Sequence, residues 1–330
     1  MQINTTPLSL MFSPINYTEI QFEERALELF RYQAAENKTY ATFIKHLGVK
    51  PKDVKRLTEI PFLPVEFFKH KKITDGSPIS KTFSSSGTTG STPSCHHVAD
   101  VSVYEKSFTK AFEYFYDSID KFCVLALLPG YLEREGSSLV YMVDNFIGQS
   151  QYSQSGFYLY NHTELAKMLE TNEAQGIPTL LIGVTFGLLD FAEKHQFQLK
   201  NTIVMETGGM KGRRREMLRE EVHTLLCNSF GVATIHSEYG MTELLSQAYS
   251  KGNGIYSTPP WMKVLNYDIY NPLYTSLSGK GGLNVIDLAN IHSCAFIQTQ
   301  DIGVISADNT FEVLGRFDSS DIRGCNLMVM

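Results

Sequence analysis

Apolar positions along the chain follow two periods. Phe22, Ala26, Leu29 and Phe30 recur at helical spacing, as do Tyr104, Phe108, Ala111, Phe112 and Phe115, so each segment is expected to be a helix with one core-facing stripe. Between them, Ile60-Pro61-Phe62-Leu63-Pro64-Val65 is apolar but twice broken by proline, which excludes a helix interior. Phe122 to Leu128, Leu180 to Phe186, Thr202 to Glu206 and Ala233 to His236 are short apolar runs that read as buried strands. Helical stretches around 163–172 and 213–228 alternate with them. Strands alternating with helices imply parallel sheets covered on both faces. From Asn284 to Glu312 the runs shorten and turn residues multiply, which predicts a small β-rich subdomain. The expected class is α/β, one large multi-subdomain unit.

Composition narrows the function classes. Of 330 residues, 43% are hydrophobic and 19% charged, an ordinary globular balance. The net charge of −6 gives no global basic signal for nucleic acid or an anionic membrane, so neither partner is expected. Lys211-Gly212-Arg213-Arg214-Arg215 is a local cluster that reads as a solvated helix start. No run reaches the roughly 20 apolar residues of a membrane span. The N-terminus carries no basic stretch followed by an apolar core, so no leader is expected. Five widely spaced cysteines without a CxxC pair point to reduced thiols and a cytoplasmic location. Cys95-His96-His97 could suggest a metal site or be an accident of a flanking loop.

Candidate chemistry starts at Ser84-Ser85-Ser86-Gly87-Thr88-Thr89-Gly90-Ser91-Thr92-Pro93. Glycines 87 and 90 allow sharp turns that bring amide N–H groups to an anion, and the hydroxyls add donors. The Gly-Lys-Ser/Thr ending of a Walker loop is absent. A flexible Ser/Gly loop remains the plainer reading of these residues alone. Downstream come Met205-Glu206-Thr207-Gly208-Gly209, Glu238-Tyr239-Gly240-Met241-Thr242-Glu243, Thr299-Gln300-Asp301 and Gly315-Arg316-Phe317-Asp318.

This ordered series resembles the adenylate-forming superfamily of acyl-CoA synthetases, luciferases and phenylacetate-CoA ligases. Within it, the chain is most similar to acyl-protein synthetases of the LuxE type. The proline-broken segment leading to Phe67-Phe68-Lys69 resembles their lead-in. The resemblance implies a large N-terminal domain of adenylate-forming type, with parallel-rich sheets flanked by helices. Its expected parts are a helical lead-in (1–75), a nucleotide-binding α/β core (76–250) and a β-rich subdomain (251–314). A hinge-like tail (315–330) would follow, carrying Cys325.

The resemblance also implies ATP and Mg²⁺ as cofactors and a carboxylic acid, expected to be a fatty acid, as substrate. Ser84, Ser85, Ser86, Gly87, Thr88, Thr89 and Gly90 would hold the β- and γ-phosphates. Gly208 and Gly209 would lie against the adenine, with Tyr239 stacked on it and Glu238, Gly240 and Met241 in the same binding segment. Thr242 would bond the α-phosphate, Glu243 would hold the metal, Asp301 would take the ribose hydroxyls and Arg316 would supply positive charge. Taken singly, each residue has a plainer role open to it. Tyr239 could be a half-buried aromatic, Glu243 a cap, Asp301 a hairpin-turn residue, and Arg316 with Asp318 a surface ion pair.

Departures from the family pattern matter too. The lysine usual after the loop proline is replaced in Thr92-Pro93-Ser94-Cys95, and Gln300 stands where the family has glycine. Relatives continue into a mobile domain bearing a catalytic lysine, and the expectation is that this domain is absent here. The Cys325 thiol could instead capture the acyl group and deliver it to an acyl-accepting or reductase partner, or it could be a small apolar residue of the tail. Two rival functions stay open: a phenylacetate-CoA-ligase-like enzyme, and a non-catalytic nucleotide- or acyl-binding subunit.

Overall fold

Thr18 starts the first helix for a local reason. Its hydroxyl accepts from the Gln21 N–H, while the Gln21 amide oxygen accepts from the Thr18 N–H, a reciprocal cap over otherwise unpaired donors. In the computed structural model, which describes residues 17–85, 92–129, 136–209 and 217–317, this helix is α1 (Glu19–Glu36). Asn37 ends it and caps α2 (Lys38–His46), accepting from the N–H groups of Thr39 and Tyr40. The proline-broken segment yields a two-residue strand, β1 (Leu63–Pro64), then one turn of helix, α3 (Phe67–His70). Strands β2 (Lys81–Ser84) and β3 (Cys95–Val98) pair as a separate small antiparallel sheet.

Helices and strands then alternate as the apolar pattern predicts. They are α4 (Val101–Phe115), β4 (Cys123–Leu127), α5 (Ser138–Gln149), β5 (Gly156–Phe157), α6 (His162–Gln175), β6 (Thr179–Gly183), α7 (Thr185–Ala192), β7 (Thr202–Glu206), α8 (Arg219–Phe230) and β8 (His236–Tyr239). Strands β4 to β8 pair in parallel. All five residues of β4 and of β6 are buried, as a sheet covered on both faces requires. Alternation divides them between two cores: Val124 and Ala126 face one, Cys123, Leu125 and Leu127 the other.

After β8 the chain turns antiparallel, through β9 (Ala248–Ser250), β10 (Ile255–Ser257), β11 (Met262–Tyr267), β12 (Thr275–Ser276), β13 (Gly279–Asp287), β14 (Phe296–Ile305) and β15 (Phe311–Arg316). The β-rich stretch is not a detached sheet. Its strands continue the parallel one in the order β12-β11-β13-β14-β15-β10-β9-β8-β7-β6-β4-β5, with β1 added beside β14, thirteen strands in all. No described helix is long and apolar enough to cross a membrane.

Two element boundaries differ from the sequence reading. The run from Leu180 to Phe186 splits, because β6 ends at Gly183 and Thr185 opens α7. The carbonyls of Gly208 and Gly209 accept the Thr185 and Phe186 N–H groups at 3.0 and 3.3 Å, filling two of the unpaired positions at that helix start. The strand expected at Ala233 to His236 lies later, because His236 and Ser237 are the residues that pair with Met205 and Glu206.

Candidate active site

The parallel-to-antiparallel switch places Glu238-Tyr239-Gly240-Met241-Thr242-Glu243 at the end of β8, where the chain leaves the sheet before returning as β9. Two backbone bonds fix the far side of this turn: the Leu245 and Ser246 N–H groups donate to the buried Asp287 carboxylate at 2.7 and 3.0 Å. The motif is thus held by β13 as well as by its own strand.

Glu243 is buried, 5% exposed, and the Ser94 hydroxyl donates to its Oε1. Burial pushes its carboxyl up, while the Ser94 bond and the charges of Arg316 and Lys69 pull the other way. Asn290 Nδ2 donates to the Glu243 carbonyl at 2.8 Å. The Thr242 carbonyl meets His96 Nδ1 at 2.9 Å. A carbonyl can only accept, so Nδ1 carries the proton and Nε2 is the bare nitrogen. Burial pushes the His96 pKa down to about 4, opposed by the Thr242 bond, so the ring is neutral at physiological pH. The Phe68 ring packs edge-on against it at 5.7 Å.

Tyr239, Asp301 and Arg316 form a second group. The Tyr239 hydroxyl donates to Asp301 Oδ2 at 2.8 Å and Arg316 Nε donates to Oδ1 at 3.0 Å. Burial, then the Asp301 charge, holds the Tyr239 phenol well above its ordinary value. Tyr239 packs edge-on against Phe311 and Tyr256, at 5.4 and 5.9 Å. Asp301 lies inside β14, opposite Arg316 in β15, and not in a hairpin turn. Arg316 therefore pairs with Asp301; Asp318 lies outside the described residues.

The ends of β2 and β3 flank the glycine-rich segment. The Ser84 N–H donates to the Gly136 carbonyl at 2.8 Å; Ser85 and Ser94 are tied by two bonds of 3.0 and 2.9 Å. Ser86, Gly87, Thr88, Thr89, Gly90 and Cys325 lie outside the described residues. Gly208 and Gly209 adopt φ of 71° and 96°, a left-handed geometry that favours glycine. Glu238 sits on the opposite face of β8 from Tyr239, as strand alternation dictates.

The structure also supplies residues the sequence did not single out for this site. Ser94 donates to the Glu243 carboxylate, and His96 supports the Thr242 carbonyl. Glu206 is buried and accepts from Thr185 at 2.6 Å, His223 at 3.1 Å and Ser237 at 3.2 Å. Burial raises its pKa, but the His223 and Thr185 bonds outweigh it and the net shift is downward. A carboxylate in an otherwise apolar strand run was the available signal.

Comparison with known proteins gives three results. The family described as acyl-protein synthetase, LuxE, matches residues 4–330. No curated protein matches significantly by sequence. Among solved structures, the chain is similar to an ATP-bound RpMatB-BxBclM chimera (TM-score 0.54, 14% identity, covering 74% of this chain and 49% of that one). It is also similar to ATP-bound MatB from Rhodopseudomonas palustris (TM-score 0.52, 13% identity, 80% and 49%). A third is the McyG A-PCP structure with phenylalanyl-adenylate (TM-score 0.52, 14% identity, 85% and 55%). The chain spans about half the length of these structures, and the likeness establishes the fold, that of the large N-terminal domain of adenylate-forming enzymes.

Proposed function

The chain belongs to the acyl-protein synthetase family, LuxE, and from that premise we propose that it activates a carboxylic acid with ATP and passes the acyl group to a thiol. The convergence of Ser94, His96, Asn290 and Asp301 on Tyr239, Thr242 and Glu243, with Arg316 paired to Asp301, carries this reading. In the first step a carboxylate oxygen attacks the α-phosphorus, the bond to the bridging oxygen breaks, and pyrophosphate leaves with the electron pair. In the second a thiolate attacks the acyl carbon and AMP leaves.

Catalysis of the first step is largely positioning and charge compensation. Tyr239 would offer a ring face to the adenine, Asp301 would accept from the ribose, and Thr242 would bond the α-phosphate. Arg316 adds charge at the open side. Glu243 and Ser94 are hard oxygen donors of the kind Mg²⁺ takes together with substrate phosphates. When bound, that ion offsets the negative charge gathering on the phosphates. The substrate is an acid of fatty type, and the accepting thiol is Cys325 or a cysteine of a partner protein.

Acid-dependent exchange of labelled pyrophosphate into ATP tests the first step; intact-mass analysis with ATP, Mg²⁺ and acid tests the second. An adduct lost in Cys325→Ser assigns the tail thiol. Turnover that requires coenzyme A would move the protein to the aryl- or acyl-CoA ligases. ATP binding with no exchange for any acid would refute the enzymatic reading.

A further inference from the structure

Strands β8 and β9 pair with Glu238 opposite Tyr249 and Tyr239 opposite Ala248, so the next step along sets Gly240 opposite Gln247. Strand alternation therefore brings Glu238, Tyr249 and Gln247 to one face. That face lies beneath α4 (Val101–Phe115), whose Phe115 and Phe112 rings sit 5.5 and 6.2 Å from the Tyr249 ring. Gly240 permits close convergence, since a Cβ there would collide with Glu238 Oε1 and lie 3.4 Å from Gln247 Cγ.

All three side chains are buried, with exposures of 9% for Glu238, 3% for Gln247 and 2% for Tyr249. Among the described residues, Gln247 Oε1 and the Tyr249 hydroxyl have no hydrogen-bond partner. Burial pushes the Glu238 carboxyl up to about 8. Buried polar groups left unpaired are unfavourable and uncommon. Here two such atoms lie on one face with the buried Glu238 carboxyl, beside the backbone of the motif that also presents Tyr239 and Thr242.

We propose that Glu238, Gln247 and Tyr249 form a polar subsite for the acid, and that this acid bears a hydroxyl or amino group on its chain. The proposal rests on the acid-activating reading above and narrows its substrate class. A hydroxyl can donate to Gln247 Oε1 and exchange a bond with the carboxyl or phenol; an ammonium group would pair with an ionised Glu238. An unbroken hydrocarbon would leave Gln247 Oε1 and the Tyr249 hydroxyl unpaired beside the buried carboxyl, the situation a polar site rejects most strongly.

The test compares straight-chain acids with their hydroxy and amino analogues of equal length, in wild type, Glu238→Leu, Glu238→Gln and Tyr249→Phe. Pyrophosphate exchange should favour a hydroxy or amino acid by at least about tenfold in kcat/KM over its alkyl counterpart. Glu238→Leu should abolish that preference; Glu238→Gln should retain it for a hydroxy acid and lose it for an amino acid. Equal or better use of alkyl acids by wild type would overturn the proposal, as would a preference unchanged in both Glu238→Leu and Tyr249→Phe, which would leave the three groups to ordered water. Melting temperature with each acid and no nucleotide reads the subsite separately. If exchange is absent for every acid, the activity reading fails. The subsite then stands only if hydroxy or amino acids raise the melting temperature of wild type more than that of Glu238→Leu or Tyr249→Phe.

Discussion

Glu238→Gln should change how stability depends on pH, by an amount the structure sets. Burial holds the folded carboxyl near 8, against an ordinary value of 4.5. Below pH 4.5 both folded and unfolded chains hold the proton and the group is neutral in the balance. As pH rises from there the unfolded chain releases the proton while the folded chain keeps it. Stability then falls by about 1.4 kcal/mol per pH unit until the folded group also ionises. Over the three units from pH 5 to pH 8 the loss from this one residue is about 4 kcal/mol, an upper bound. His96 and His236 act in the opposite direction at lower pH. Burial pushes both down to about 4, so stability is gained as pH rises from there to about 6.5. Urea unfolding of wild type and Glu238→Gln across pH 5 to 8 isolates the carboxyl, because every other group cancels in the difference. The variant should overtake wild type as pH rises. A difference that stays constant across the window would refute the assignment of a carboxyl whose pKa burial raises at this position.

Removing the phenol in Tyr239→Phe breaks one bond to Asp301, at 2.8 Å; the Michaelis constant for ATP should rise while stability changes by about 1 kcal/mol. Ser94→Ala deprives Glu243 of its hydroxyl donor, so pyrophosphate exchange should need more Mg²⁺ for half-maximal rate, read from a magnesium titration. His96→Asn, which keeps an N–H for the Thr242 carbonyl, should retain more exchange activity than His96→Leu; equal losses would show that only bulk matters there. Gln33→Leu strands the Asn290 and Ile291 carbonyls and the Ala295 N–H, and should lower unfolding free energy by about 3 kcal/mol in urea titrations.

The alternation of buried strands with amphipathic helices was legible because it depends on near-neighbour spacing. Thr202 to Glu206 is found as β7 with no shift, and the stripes from Phe22 and Tyr104 lie in α1 and α4. Boundaries moved where a distant residue decided them. Gly208 and Gly209 convert the end of an apolar run into the start of α7, which no local window contains. Asp301 looks like a turn residue beside Ile302-Gly303, yet pairing with Arg316 keeps it mid-strand. At the site, motif order brought together Tyr239, Asp301 and Arg316, and the structure joins them directly. It could not reveal Ser94 or His96, whose roles arise because β3 packs beside the 239–243 turn across a long sequence interval. Asn290, Gln33 and Asn37 were invisible for the same reason: a buried amide on an amphipathic helix or in a loop carries no local signature until its partner carbonyl is known.

Those amides impose an order on synthesis. Gln33 and Asn37 clasp the backbone at 290–295, and the rings of Phe30 and Tyr40 rest on Phe296 at 5.9 and 6.1 Å. The helices that carry them leave the ribosome early, while their partners lie 257 positions later. At typical elongation rates the gap lasts roughly ten to fifty seconds. Throughout that interval the nascent chain displays an apolar stripe and two unpaired amides, a natural target for holding chaperones. Asn290 also bonds the Glu243 carbonyl, so the loop that finally shelters the oldest segment is the one that completes the motif.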